Sequence, residues 1–386
     1  MPSTNYGTQE AENQIGSFVY MTFQQWYELY PQVAPAHEDM KLKAVRLIWE
    51  SRAMPGGHIK EPMIRFTRPP ERNCFSWHQV YHAMIMSEPD AAVQTLMNMF
   101  PNQDRFGELP DLITEDYINI TATKPPIHGY GALLMLERFG SGITVEHCER
   151  MYKGLSKLYE FWTTMRDTDN DGIPQYNHGC ESGFDFSPMF AKGVPVETPD
   201  IICYVALLAE ALEKITLRLN LPESAQWGLK SKLLLDRLYS DFWNGERFIA
   251  MLSGLHEIVD FNTLEACFPF MLGKRLPADI SDVMAKDIAE HYATPYGLRS
   301  EPRSDKPGTI MGFCQTLVLP GLYRAGHRDL ASRLLRGYVD YGAENEPAFF
   351  FSEDGSGADA NDFTKMSALS AALWLGCAIF LHETEG

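Results

Sequence analysis

The residues of this chain best placed to do chemistry lie in one run, Asp167 to Pro188, DTDNDGIPQYNHGCESGFDFSP. Its second half sets Glu181 and Asp185 four positions apart among small residues that permit a tight loop. Two carboxyls held close in a partly apolar pocket cannot both ionise cheaply, so one is pushed toward a raised pKa and can donate a proton near neutrality. That is what a general acid needs. The plainer reading is a loop whose carboxyls accept backbone hydrogen bonds. The first half, Asp167-Thr168-Asp169-Asn170-Asp171-Gly172, copies the first six positions of a calcium loop. Its twelfth position is His178, where a bidentate Glu belongs, so the run reads as a polar turn. His78 and His82 have the spacing of a zinc pair, but the intervening Gln-Val-Tyr lacks the catalytic Glu beside them, and no metal is expected there. No Ser or Cys sits in a nucleophile elbow and no dinucleotide fingerprint occurs, so the expected chemistry uses no cofactor.

Helices must position these groups. Apolar residues recur every three to four positions over 40–52, 79–86, 91–100, 129–139, 145–164, 199–219, 224–242, 279–292, 315–325, 329–341 and 365–381. Between them run long loops rich in Gly, Pro and aromatics at 55–77, 102–126, 167–197, 294–313 and 344–364. Few segments alternate as strands do. The pattern predicts an all-α chain of helical hairpins closed into a ring, an (α/α)6 toroid with pocket-forming loops gathered at one end. Inner helices of such a ring are apolar on most faces, as the stretch ALSAALWLGCAIFL is. Residues 1–386 are expected to form a single domain, with an irregular N-terminal extension over 1–35.

The charge balance narrows the partners. With 33 Lys plus Arg against 51 Asp plus Glu, the formal net charge is −18, which repels phosphate backbones and argues against nucleic acid. The apolar stretch from Ala368 to Leu381 is too short to span a bilayer, for which ~20 residues are needed. The polar start, MPSTNYGTQEAENQ, lacks the apolar core of a translocation signal, so a cytoplasmic location is expected. Seven scattered cysteines with no C-x-x-C pair read as buried free thiols. A small molecule is the expected partner; oligomeric state is not legible.

The ESGFDFSP segment resembles the acid motif of the (α/α)6-barrel glycosidase clan that contains trehalase, processing α-glucosidase and mannosylglycerate hydrolase. The resemblance puts the general acid on Asp185. It extends to QDRFGELP at Gln103 to Pro110, KPPIHGY at Lys124 to Tyr130, which includes His128, and TPYGL at Thr294 to Leu298, all in the clan's order. Together these imply the ring fold over roughly residues 40 to 380.

Three departures from the clan pattern redirect the functional expectation. A sugar-gripping Trp-Asp pair is replaced by Trp77-His78, within CFSWHQ. A segment with a sugar-binding Arg reads Met311-Gly312-Phe313-Cys314, and the Glu-x-Tyr-Asp segment that activates water reads Phe349-Phe350-Phe351-Ser352. Inverting hydrolysis needs a base ~6.5 to 9.5 Å from the acid. Glu346, Glu353 or Asp354 could serve as a displaced one. The expected site therefore has Asp185, Glu181 and His78 as polar groups, with Phe75, Trp77, Gln103, His128, Tyr130, Phe184, Met311, Phe313, Phe349, Phe351 and Glu353 around the substrate. Such a lining favours an apolar ligand, of terpenoid or polyketide type. The expected activity is non-hydrolytic cyclisation or isomerisation, with a Diels–Alder cycloaddition as one form, through substrate folding and hydrogen-bond assistance. The alternatives are an inverting α-glycoside hydrolase using Asp185 and a non-catalytic binder.

Overall fold

The computed structural model describes residues 21–185, 187–354 and 365–385. Twelve α-helices lie within these: α1 Phe23–Tyr27, α2 Glu38–Glu50, α3 Ser76–Met84, α4 Pro89–Met97, α5 His128–Phe139, α6 Val145–Glu160, α7 Pro199–Arg218, α8 Ser224–Asp241, α9 Ala278–Asp287, α10 Gly312–Arg324, α11 Arg328–Asn345 and α12 Ala368–Glu385. Among the described residues, α3, α5, α7, the 3₁₀ segment Leu264–Arg275, α10 and α12 pack each against the next, and α12 returns to α3 to close the circle. The remaining long helices form an outer layer. This is the expected (α/α)6 toroid.

Sequence dictates which layer each helix joins. In α2, Met40, Ala44, Val45 and Ile48 form one buried stripe while Glu38, Lys43 and Arg46 stay at the surface, the pattern of an outer helix. In α7, the buried set runs almost unbroken from Pro199 to Leu212, and in α12 from Ala368 to Leu375, so neither has a face left for water. The inner 3₁₀ segment carries no helical period in sequence because Pro269 and Gly273, the latter at φ 56°, interrupt it. Propensity hid this element, and burial of Phe268, Phe270 and Met271 between neighbours forms it. Of the expected N-terminal extension over 1–35, residues 1–20 lie outside the described residues; within 21–35, Thr22 caps α1 through a reciprocal pair with Gln25, and Trp26 is fully buried.

Short strands lead the chain into the inner helices. Cys74–Phe75 precedes α3, Val196–Glu197 precedes α7 and Thr309–Met311 precedes α10. The N-termini of α3, α7 and α10 thus gather at the loop-rich mouth. The late residues Met84, Glu137, Arg324 and Phe380 of α3, α5, α10 and α12 line one cavity of about 370 Å³ at the far end. Among the described residues no helix is long and apolar enough to cross a membrane.

Candidate active site

Asp185 lies in the turn that ends the loop from Asn177, and it is exposed at the mouth. That loop is pinned from below. Glu181 is buried, with its carboxylate 2.9 Å from the Arg166 guanidinium and accepting from the backbone N–H of Asn177 at 2.7 Å and of His178 at 3.2 Å. Burial pushes the Glu181 carboxyl up and Arg166 pulls it back down. Glu181, expected beside Asp185 as one of two close carboxyls, is engaged by Arg166 and the loop backbone and holds the loop together. Further along, Ser187 donates to Glu265 at 2.5 Å, and Thr263 donates to the same oxygen at 2.7 Å. Burial pushes Glu265, at the start of the inner 3₁₀ segment, up to about 8.

The carboxyl that does sense Asp185 is Asp111, which sequence reasoning passed over. It follows the QDRFGELP stretch, on the loop paired through Leu112–Ile113 to the strand before α3. Asp111 is 7% exposed, and its Oδ1 accepts no hydrogen bond among the described residues. Burial raises its carboxyl to about 6, against the pull of Lys124 and with the Asp185 charge adding to the rise. Lys124 donates to the Cys180 carbonyl and lies 5.8 Å from the Trp77 ring. Asp111, Lys124 and Asp185 thus make one polar wall. The signal available in sequence was an Asp directly after a matched motif and a Lys opening another.

Beside that wall stands an aromatic cluster. Trp77 packs on Phe313 at 5.5 Å, Phe313 on Phe184 at 5.6 Å, on Phe268 at 6.0 Å and on Phe349 at 6.0 Å, the last nearly parallel. Gly183, at φ 81°, lies so close to Trp77 that an added Cβ would stand 2.3 Å from the ring. Only glycine permits this approach. Trp77, Phe184, Phe313 and Phe349 are brought together as expected, with Phe268 added from the segment that sequence did not read as helix. Met311 sits half-buried on the strand facing Phe350.

Several expected site residues are engaged otherwise. His78 is enclosed by Phe66, Phe75 and Trp77, and burial with the His82 and Lys124 charges lowers it well below the usual histidine value. It stays neutral at pH 7 and cannot act as an imidazolium acid. Phe75 serves as its packing partner at 4.7 Å. Gln103 donates to the carbonyls of Gly107 at 2.9 Å and Gly154 at 3.1 Å, tying the loop to outer helix α6. His128 is buried against Phe100, with both ring nitrogens unpartnered among the described residues and its pKa pushed down to about 3 by burial. Tyr130 points away from the mouth, its hydroxyl accepting from Arg324 at 3.3 Å. Phe351 turns into the core and stacks on Tyr341 at 4.2 Å, because alternation along Phe350–Ser352 sends it opposite to its neighbours.

The three candidate bases are also accounted for. Glu353 is 3.0 Å from Arg299, whose side chain is 2% exposed and which also donates to the Lys306 carbonyl. Glu346 ends α11 at φ 63° and lies 3.5 Å from Lys43 on the outside. Asp354 is exposed, and its charge acts on Tyr341.

Comparison with known proteins completes the picture. The mannosylglycerate hydrolase MGH1-like glycoside hydrolase domain model matches residues 69–364. The chain belongs to this family. Among solved structures, the GH63 mannosylglycerate hydrolase from Thermus thermophilus in complex with glucose superposes with a TM-score of 0.73 at 16% identity, covering 89% of this chain and 99% of that one. The neutral trehalase from Saccharomyces cerevisiae gives a TM-score of 0.63 at 14% identity, covering 79% of this chain and 71% of that one. No curated protein matches the sequence. At these identities the structural neighbours show the fold alone, which the family match extends to a glycosidase-like scaffold.

Proposed function

We propose that this glycosidase-like scaffold carries out acid-assisted, non-hydrolytic chemistry on a largely apolar small molecule, a cyclisation or isomerisation, with Asp185 as the proton donor or hydrogen-bond donor to substrate. One observation carries the reading: the mouth has a polar wall of Asp111, Lys124 and Asp185, while the candidate water-activating carboxylates Glu353 and Glu346 lie in ion pairs with Arg299 and Lys43. An acid whose expected bases Glu353 and Glu346 are engaged in ion pairs protonates or polarises a substrate in preference to activating water for inversion, and Asp354, the third expected base, is exposed with its charge acting on Tyr341. The half-buried Phe184 and Phe349, backed by buried Phe313, offer apolar surface against which a flexible substrate can be held in a reactive conformation. Asp111 supports the acid by taking up or returning its proton near neutrality.

A second reading, an inverting α-glycoside hydrolase, is favoured by the family match and by the unpartnered oxygen of Asp111 within electrostatic reach of Asp185. The test is ligand capture. The purified chain is mixed with a metabolite extract, washed, and its bound small molecules are identified by mass spectrometry, alongside turnover by Asp185→Asn. A hydrocarbon-rich ligand converted by the wild type and not by the variant supports the first reading. A bound sugar or glycoside turns the assignment to the second, and a ligand recovered unchanged by both proteins indicates a binder.

A further inference from the structure

The ring has a second recess, at the end opposite the mouth. Leu134, Pro320, Ile379 and Phe380, from α5, α10 and α12, give the cavity of about 370 Å³ its apolar walls, and Ala372 with Gly376, one turn apart on α12, keep the space between them open. A neighbouring cavity of about 520 Å³ shares Tyr130, Leu134, Glu137 and Arg324 with it, so the Arg324 side chain stands where the two meet. Both volumes fall within the ~300 to 1,000 Å³ range of small-molecule pockets.

Four charged side chains line the first cavity, Glu137, Arg138, Arg324 and Glu383. Glu137 is 3.7 Å from Lys214, and Arg138 is 3.9 Å from Glu383. Arg324, half-buried, has no carboxylate partner among the described residues; it donates to the Tyr130 hydroxyl at 3.3 Å and lies 5.3 Å from the Phe380 ring. A guanidinium has five N–H donors, so most of this one's remain to be satisfied. The Tyr130 hydroxyl, accepting from Arg324, keeps its own proton to donate. Tyr81, one helical turn beyond Trp77, lines the same cavity at 1% exposure, and its hydroxyl has no partner among the described residues. Polar groups left over in an apolar recess are what the head group of a ligand satisfies.

We propose that this recess is a ligand site separate from the mouth, taking a small amphipathic monocarboxylate, with the carboxylate held by Arg324 and the Tyr130 hydroxyl and the hydrocarbon part laid against Leu134, Pro320, Ile379 and Phe380. A planar guanidinium meets a carboxylate through two parallel N–H···O bonds. One guanidinium balances one negative charge, which favours a monocarboxylate over a phosphate dianion. The net charge of −18 repels anions at long range, but salt screens that repulsion over ~8 Å, which leaves the contact at Arg324 to decide. None of these groups belongs to the acid wall or the aromatic cluster, so occupancy of the recess does not depend on the reaction at the mouth.

The test is calorimetric titration of the full chain with sodium octanoate, with octanol as the uncharged control. The wild type should bind octanoate more tightly than octanol by about tenfold or more. Arg324→Gln should lose that margin and bind both probes alike, whereas Asp185→Asn should bind octanoate as the wild type does. Leu134→Trp, at a half-buried position common to both cavities, should weaken both probes, and it carries the test if Arg324→Gln fails to fold. No binding of octanoate by the wild type at millimolar concentration overturns the site. So does a preference for octanoate that survives Arg324→Gln, or octanol bound by the wild type as tightly as octanoate. An affinity that changes with Asp185→Asn and not with Arg324→Gln puts the ligand at the mouth and also overturns it.

Discussion

The two walls of the mouth solve the problem of buried charge in opposite ways. On the Asp111 side a carboxyl is left without a full set of partners, and its cost is carried as a raised pKa, which keeps a proton available. On the Arg299 side the buried guanidinium meets Glu353, and the rings of Trp77, Phe313 and Phe349 pack in sequence. A paired carboxylate is a structural element, whereas an unpaired one is a reactive one. A glycosidase needs two reactive carboxylates; of the bases expected from sequence Glu353 and Glu346 lie in ion pairs, while Glu265 is buried with Oε1 unpartnered among the described residues and raised to about 8.

Four changes break or sharpen that contrast. Asp185→Asn removes the exposed donor and should slow turnover by ~10²- to 10⁴-fold with no fall in Tm, since the residue stands exposed at the mouth; a large fall in Tm would make the carboxyl structural. Arg299→Met should leave Glu353 unmatched beside a buried site and destabilise the fold by about 3 to 5 kcal/mol, read by urea denaturation. A change under ~1 kcal/mol would mean the pair is no anchor, reopening Glu353 as a base. Asp111→Asn tests the other wall through pH. The folded pKa of about 6 exceeds the unfolded value, so the folded state binds the extra proton and stability falls as pH rises from about 4 to 6. The loss is ~3 kcal/mol at most, and the asparagine variant should lack it; turnover that needs the protonated form should decline above about pH 6 only in the wild type. Glu346→Gln, outside both walls, should shift stability by no more than ~0.5 kcal/mol and leave turnover unchanged.

The ring was legible because its outer helices carry stripes and its inner helices are apolar all round, both of which are periodic signals. The inner 3₁₀ segment was not, since Pro269 and Gly273 erase the period and only its neighbours make it helical. At the mouth, Trp77, Phe184, Phe313 and Phe349 were found through motif order. Gln103, His128, Tyr130 and Phe351 were misplaced because a matched motif fixes where a segment lies and not which way a side chain turns. Asp111 was missed for the converse reason. It is an ordinary acidic residue in sequence, and becomes unusual only when strand pairing buries it next to charges from elsewhere.

Release of sugar tests most directly whether Asp185 works as an acid while the expected bases Glu346 and Glu353 are held in ion pairs. Purified chain is incubated with small α-glucosides and α-mannosides, and free glucose and mannose are measured for the wild type and Asp185→Asn. Equal, background-level release from both proteins is the predicted result. Sugar released by the wild type and abolished in the variant would contradict it, and would place a working base across the mouth from Asp185.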